Sequence, residues 1–198
     1  MTALTILIPA AGSASRMRGG DKLMEQVEGQ PLLRRQVRMA LATSCPVIVT
    51  LRPEDSDRSA ALDGLNVAIL PVPDAASGMS ASLRRAVRSL TSALMILPAD
   101  MPDLTTEDLQ TLIAAFALAP EVIHRGASEA GQPGHPVILP RQFLPDIARL
   151  EGDSGARSIV EGQKVRSVPL PDAHATTDLD TPEDWATWRS RRVGPDRA

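Results

Sequence analysis

The chain has 198 residues, with 21 Lys plus Arg against 24 Asp plus Glu, a formal net charge of −3, one Cys, two Trp, two Phe and no Tyr. That length suits one domain with a full hydrophobic core, and the mild acidity and scarce aromatics argue against a protein built to grip a nucleic-acid backbone. A lone Cys45 excludes an internal disulfide, no apolar run approaches the roughly 18–20 residues of a membrane span, and no signal-peptide pattern opens the chain, so a cytoplasmic protein is expected.

The run Leu4-Thr5-Ile6-Leu7-Ile8-Pro9 is short, apolar and β-branched and reads as a buried strand entering a loop of small residues. Pro31 suits a helix start, and Leu33, Val37 and Ala40 repeat at helical spacing with Arg34, Arg35 and Arg38 on the other side. Strands are expected at Val47–Leu51, Val67–Val72 and Leu94–Leu97, and helices over Glu54–Leu62, closed by Gly64, and Ser80–Leu90. Thr105, three residues before Asp108, caps a helix running toward Ala117. Val122–His124 and Val137–Leu139 flank the glycine-rich stretch 126–134 as in a β-excursion, and Thr181-Pro182-Glu183-Asp184 is a strong helix start. Alternating strands and helices imply an α/β fold around a mostly parallel sheet covered on both faces. One domain over 1–190 with a flexible charged tail from 191 is expected.

Several segments carry residue types suited to phosphate and metal chemistry. Ala10-Ala11-Gly12-Ser13-Ala14-Ser15-Arg16-Met17-Arg18-Gly19-Gly20-Asp21-Lys22 follows the first strand. Small residues let backbone N–H groups approach an anion, and Arg16 and Lys22 supply positive charge; the same composition also suits an ordinary solvated loop. Lys22 is one of only two lysines, the other being Lys164. Neither a Walker loop nor Gly-x-Gly-x-x-Gly is present, which counts against a nicotinamide oxidoreductase. Asp100 stands between Pro98 and Pro102 just past an apolar strand, where open α/β sheets bind ligands, while Asp103 suits a structural role before Thr105. Asp178 and Asp180 precede the last helix, and one of them paired with Asp100 is what Mg²⁺ shared with phosphates requires; the other is free to support the helix cap. Ser77-Gly78-Met79-Ser80 opens a helix whose free N–H groups suit a base or phosphate, or simply an N-cap. His124, His135 and His174 lack zinc-ligand spacing, and no Gly-x-Ser-x-Gly elbow is present.

Eight segments taken in order resemble the MobA-like nucleotidyltransferases, and most closely the molybdenum cofactor cytidylyltransferases: Ala10–Met17, Asp21-Lys22-Leu23, Pro31-Leu32-Leu33, Gly78–Leu83, Asp100-Met101-Pro102, Gly134-His135-Pro136, Gly152–Arg157 and Asp178–Asp184. The resemblance implies a Rossmann-like sheet, and an Mg²⁺-dependent transfer of a nucleoside monophosphate from an NTP to a phosphorylated acceptor with release of pyrophosphate. It implies that Ala10, Ala11, Gly12, Ser13, Arg16 and Lys22 hold the nucleotide's phosphates. Gly78 and Ser80 would lie near the base, and His135, Asp153 and Arg157 would border the acceptor. Asp100 and Asp180, with Asp178 as runner-up, would hold the metal. Ala11 and the Gly78 segment resemble the cytidylyl branch, so CTP and molybdopterin are the expected substrates. A molybdoenzyme or its chaperone would receive the product, and neither nucleic acid nor membrane is an expected partner. Pro9 and Arg18 depart from the family pattern. Two alternatives are a related transferase with a sugar or alcohol phosphate acceptor, and a non-catalytic carrier of nucleotide or pterin.

Overall fold

In a computed structural model, residues 3–152 and 154–192 are described. The apolar run forms β1 (Leu4–Pro9), which leads into a loop containing one 3-10 turn at Ser15–Met17. A small antiparallel ladder follows, β2 (Gln26–Val27) with β3 (Gln30–Pro31), turned by Glu28 and Gly29 at positive φ. Pro31 stands immediately before α1 (Leu32–Leu41), whose Leu33, Val37 and Ala40 are wholly buried as their spacing requires. The alternation continues with β4 (Val47–Leu51), α2 (Ser56–Ala60), β5 (Ala68–Pro71), α3 (Met79–Val87) and β6 (Ala93–Ile96). Helix α2 is shorter than the expected Glu54–Leu62, because the Asp55 carboxylate accepts the Arg58 N–H and starts the helix there. Thr105 and Asp108 form a reciprocal capping box for α4 (Thr106–Leu118). Then come β7 (Ile123–Ala127), β8 (Pro133–Leu139), α5 (Leu144–Ile147), α6 (Ala156–Val160), β9 (Val165–Pro169) and α7 (Pro182–Arg192). No described helix is long and apolar enough to cross a membrane.

Seven strands form one sheet in the order β5-β4-β1-β6-β8-β7-β9, and β8 is the one strand running against the rest. The expected β-excursion is therefore the β7–β8 hairpin, built into the sheet rather than projecting from it. The chain steps outward from β1 to β4 and β5, then returns to place β6 on the other side of β1. Loops leaving the C-terminal ends of β1 and β6 consequently diverge and leave a crevice between them, the usual ligand position in open α/β sheets.

Alternate residues of β1 serve opposite faces. Ile6 and Ile8 pack with α1 and α4 through Leu33, Val37, Leu109 and Leu112, whereas Leu7 packs with α3 and α5 through Leu83 and Ile147. A third cluster joins Met17, Val27 and Leu32 to Leu179, Trp185 and Trp188, seating α7 against the loop after β1. Trp185 is 1% exposed, and burying a ring that size contributes about 4–6 kcal/mol by area. Gly134 makes the second half of this junction possible: a Cβ there would run into the Ala175 carbonyl, which accepts the His135 N–H at 2.7 Å. Ala175 and Thr176 thereby lie against β8, and the Leu179 N–H reaches the Asp100 carbonyl at 3.1 Å.

Candidate active site

The loop after β1 is held by two arginines. Arg58, from α2, donates Nη1 to the carbonyls of Ala10 (2.6 Å) and Gly12 (2.9 Å), and Arg52 donates Nε to that of Ala11 (2.8 Å). Nε and Nη2 of Arg58 also grip both carboxylate oxygens of Asp21 at 2.7 and 2.8 Å. Asp21 Oδ1 accepts the Leu23 N–H at 3.0 Å, which folds the backbone around Lys22. By contrast, the amides of Ala11, Gly12, Ser13 and Ala14 donate to no described residue.

Lys22 lies between two carboxylates. Its Nζ is 2.5 Å from Asp100 Oδ2 and 2.5 Å from Asp180 Oδ1, and the three side chains are 19%, 20% and 19% exposed. Burial alone would lower the lysine's pKa, but the charges and hydrogen bonds of Asp100 and Asp180 outweigh it and hold the ammonium above its ordinary value. Arg16 Nη1 pairs with the other oxygen of Asp180 at 2.6 Å, and Arg18 pairs with Glu183 at 2.8 Å. Asp180, not Asp178, is thus the acid that shares Lys22 with Asp100. Partial desolvation, reinforced by Asp100, raises the carboxyl pKa of Asp178. The cap of α7 is supported by neither of their carboxylates: Asp184 accepts the N–H and hydroxyl of Thr181 and the Asp180 N–H. Asp103 is structural in a different way from that expected, accepting the indole N–H of Trp188 at 2.8 Å and so tying α7 to the Asp100 loop.

A cleft of about 430 Å³ is lined by Ala10, Gly12, Ser13, Lys22, Arg58 and Asp100 and also by Arg125, His135 and Arg157, while Arg16 and Asp180 are not among its lining residues. His135 is half-buried, and its Nδ1 has no partner among the described residues. Burial and the neighbouring Arg125 push the imidazole pKa down against the pull of Asp100, so the ring is neutral at pH 7. Arg125 Nε is pinned by the Gly134 carbonyl at 2.8 Å. A second hollow of about 290 Å³ adjoins the same loop, lined by Ala11, Gly12, Ser13, Arg52, Gly78, Met79 and Ser82 among others. Gly78 adopts φ 107 and ψ −175, a conformation open essentially to glycine alone. Ser80 lines neither space: it is fully buried and its hydroxyl accepts from Arg84 at 2.8 Å. Asp153 lies outside the described residues.

Arg52, Arg58 and Arg125 were not among the expected site residues. Nothing in their local sequence separates them from the other arginines, which make up all but two of the 21 basic residues.

Residues 6–168 match the model of the MobA-like NTP transferase domain. Over 196 residues the chain is 27% identical to the molybdenum cofactor cytidylyltransferase of Escherichia coli K12, covering 96% of this chain and 98% of the relative. It is 29% identical over 199 residues to a probable molybdenum cofactor guanylyltransferase of Natronomonas pharaonis, covering 94% and 97%. The crystal structure of a Mycobacterium tuberculosis rv0371c homolog from Mycobacterium sp. strain JC1 superposes with a TM-score of 0.81 at 26% identity over 96% of each chain. The glycine-rich loop, the acid beyond β6 and the switch-point cleft are thus carried on a matching domain across nearly the whole chain, and the protein belongs to the MobA-like NTP transferase family of nucleotidyltransferases.

Proposed function

We propose that the protein transfers the CMP group of CTP to the phosphate of a molybdopterin-type molybdenum cofactor and releases pyrophosphate. The observation that carries this is the convergence of Lys22, Asp100 and Asp180 at the open end of the β1–β6 crevice, beside a loop with four consecutive unengaged amides. In this reading Ala10–Ser13, Arg16 and Lys22 receive the triphosphate and the hollow beside Gly78 receives the base. Arg125, His135 and Arg157 border the acceptor.

Among the described residues no three His, Cys, Asp or Glu side chains gather into a metal cage. Two carboxylates do converge on one cation, the Lys22 ammonium, and two hard oxygen ligands suit a divalent ion that keeps waters and phosphate oxygens in its remaining positions. Asp100 and Asp180 would hold Mg²⁺, which when bound supplies positive charge to the phosphates of the nucleotide. An oxygen of the acceptor phosphate attacks the α-phosphorus, the bond to the bridging oxygen breaks, and its electron pair leaves on pyrophosphate. The attacking phosphate is already anionic at pH 7, so a neutral His135 suffices and no general base is needed. What the chain contributes is the alignment of two anions and the offset of their repulsion by Arg16 and Lys22.

The cytidylyltransferase relative supports CTP, and the guanylyltransferase at similar identity keeps GTP as a second reading. The test is pyrophosphate release from purified protein, Mg²⁺, isolated molybdopterin and each NTP in turn. Acceptor-dependent release with CTP is expected, reduced about 10²–10³-fold in Asp100→Asn without loss of folding. Release with GTP alone would move the reading to guanylyl transfer. Release only with a sugar or alcohol phosphate would replace the acceptor, and binding without release would make the protein a carrier.

A further inference from the structure

Arg58 is the most buried Arg or Lys among the described residues, at 4% exposed, and the only residue of α2 that lines the cleft. Four of its five N–H groups are engaged: two by the Asp21 carboxylate and two by the carbonyls of Ala10 and Gly12. One rigid, planar group therefore joins the start of the loop to the residue before Lys22. Little of it remains to contact a phosphate.

The effect on the backbone follows from peptide geometry. A trans peptide places the carbonyl of one residue and the N–H of the next on opposite sides. Fixing the Ala10 and Gly12 carbonyls on Arg58 turns the Ala11 and Ser13 amides away from it, and fixing the Ala11 carbonyl on Arg52 turns the Gly12 amide away from Arg52. Three successive N–H donors are thus oriented before any ligand arrives, in a segment of small residues that would otherwise sample many conformations. At the other end, the bidentate grip on Asp21 sets the turn that carries Lys22.

We propose that Arg58 is the positioning residue of the triphosphate loop, setting the amides of Ala11–Ser13 and the ammonium of Lys22 jointly for the nucleotide's β- and γ-phosphates. This rests on reading loop 10–22 as the triphosphate cradle. The fork matters, not the charge alone: lysine offers a point charge and cannot hold Asp21 and two carbonyls in one plane.

The test compares wild type, Arg58→Lys and Asp21→Asn by calorimetric titration with tripolyphosphate, CTP and CMP in Mg²⁺, with thermal unfolding of each. Tripolyphosphate makes the result independent of base choice. Arg58→Lys should weaken tripolyphosphate and CTP about 10- to 100-fold while leaving CMP within about threefold. Asp21→Asn should shift affinities the same way by less, and it serves alone if Arg58→Lys does not fold. Equal losses for CTP and CMP, or unchanged tripolyphosphate affinity in a folded variant, would overturn the assignment. The cradle reading fails separately, whatever Arg58 does, if Lys22→Met binds tripolyphosphate as wild type does.

Discussion

In the resting site the Lys22 ammonium stands where two carboxylates would hold a metal, so removing it should improve metal binding while abolishing turnover. The two acceptor oxygens are each 2.5 Å from one nitrogen, and so at most 5 Å apart. At an effective dielectric near 20 their unscreened repulsion in Lys22→Met is about 3 kcal/mol, and a divalent ion entering between them relieves it. A second route gives a similar figure. Each charge-assisted hydrogen bond from Lys22 nets about 1.5–3 kcal/mol, and a metal entering the wild-type site displaces both. The freed ammonium recovers roughly half of that from water or phosphate, leaving about 1.5–3 kcal/mol, or roughly 10- to 150-fold in affinity. Lys22→Met should therefore bind Mn²⁺, without nucleotide, roughly 10- to 100-fold more tightly than wild type in a calorimetric titration, and release no pyrophosphate. Mn²⁺ affinity equal to or below that of wild type would refute the shared cation position.

Gly78→Ala forces a Cβ into a glycine-only conformation at the start of α3; a cost of about 2 kcal/mol should lower Tm by about 4–8 °C and raise KM for the nucleotide, and an unchanged Tm would contradict it. Asp184→Asn puts a neutral amide oxygen in place of the carboxylate that accepts from three groups at the start of α7, and the lost charge should cost about 0.3–1 kcal/mol at pH 7 in urea unfolding. The Thr181 hydroxyl and N–H hold the Asp184 carboxyl below its ordinary pKa. Its stabilisation is therefore full above the unfolded value near pH 4 and lost as pH falls through the folded one, so the difference between the two proteins should narrow progressively below about pH 4.

What was legible in the sequence is what local chemistry decides. The apolar run of β1, the helical spacing in α1, and the caps at Thr105 and Thr181 each depend on residues a few positions apart, and each lies where its pattern requires. The expectations for Lys22 and Asp100 also rest on local features: Lys22 is one of only two lysines and ends the small-residue loop after β1, and Asp100 lies just past an apolar strand. In the sequence only the family resemblance places Asp180 ahead of Asp178; physically the choice depends on a contact between residues 158 positions apart, helped by Trp185 packing with Met17 and by the bare Cα of Gly134. Arg58 is recognisable only once the Ala10 and Gly12 carbonyls are known to lie beside it. Ser80 has the sequence of a loop donor, yet α3 turns its hydroxyl inward to Arg84.

Under the proposed function these long-range contacts would also ease an electrostatic difficulty inherent in joining a triphosphate to a metal. Such a site needs cations for phosphates and anions for the ion within a few ångströms, and without ligands the half-buried Lys22, Asp100 and Asp180 would each be costly to leave unpaired. Here the sets neutralise one another: Lys22 and Arg16 against Asp100 and Asp180, two charges of each sign. A metal without nucleotide must compete with Lys22 for the carboxylates, and a nucleotide without metal must compete with the carboxylates for Lys22 and Arg16. Arriving together, they allow both exchanges at once, the metal taking the carboxylates and the phosphates taking Lys22 and Arg16, so the pairing that stabilises the empty site would also favour joint binding of the two ligands over either one alone. Arg58 stands outside that exchange, its guanidinium committed to Asp21 and the loop carbonyls, and so it can hold the frame fixed while the charges within it change partners.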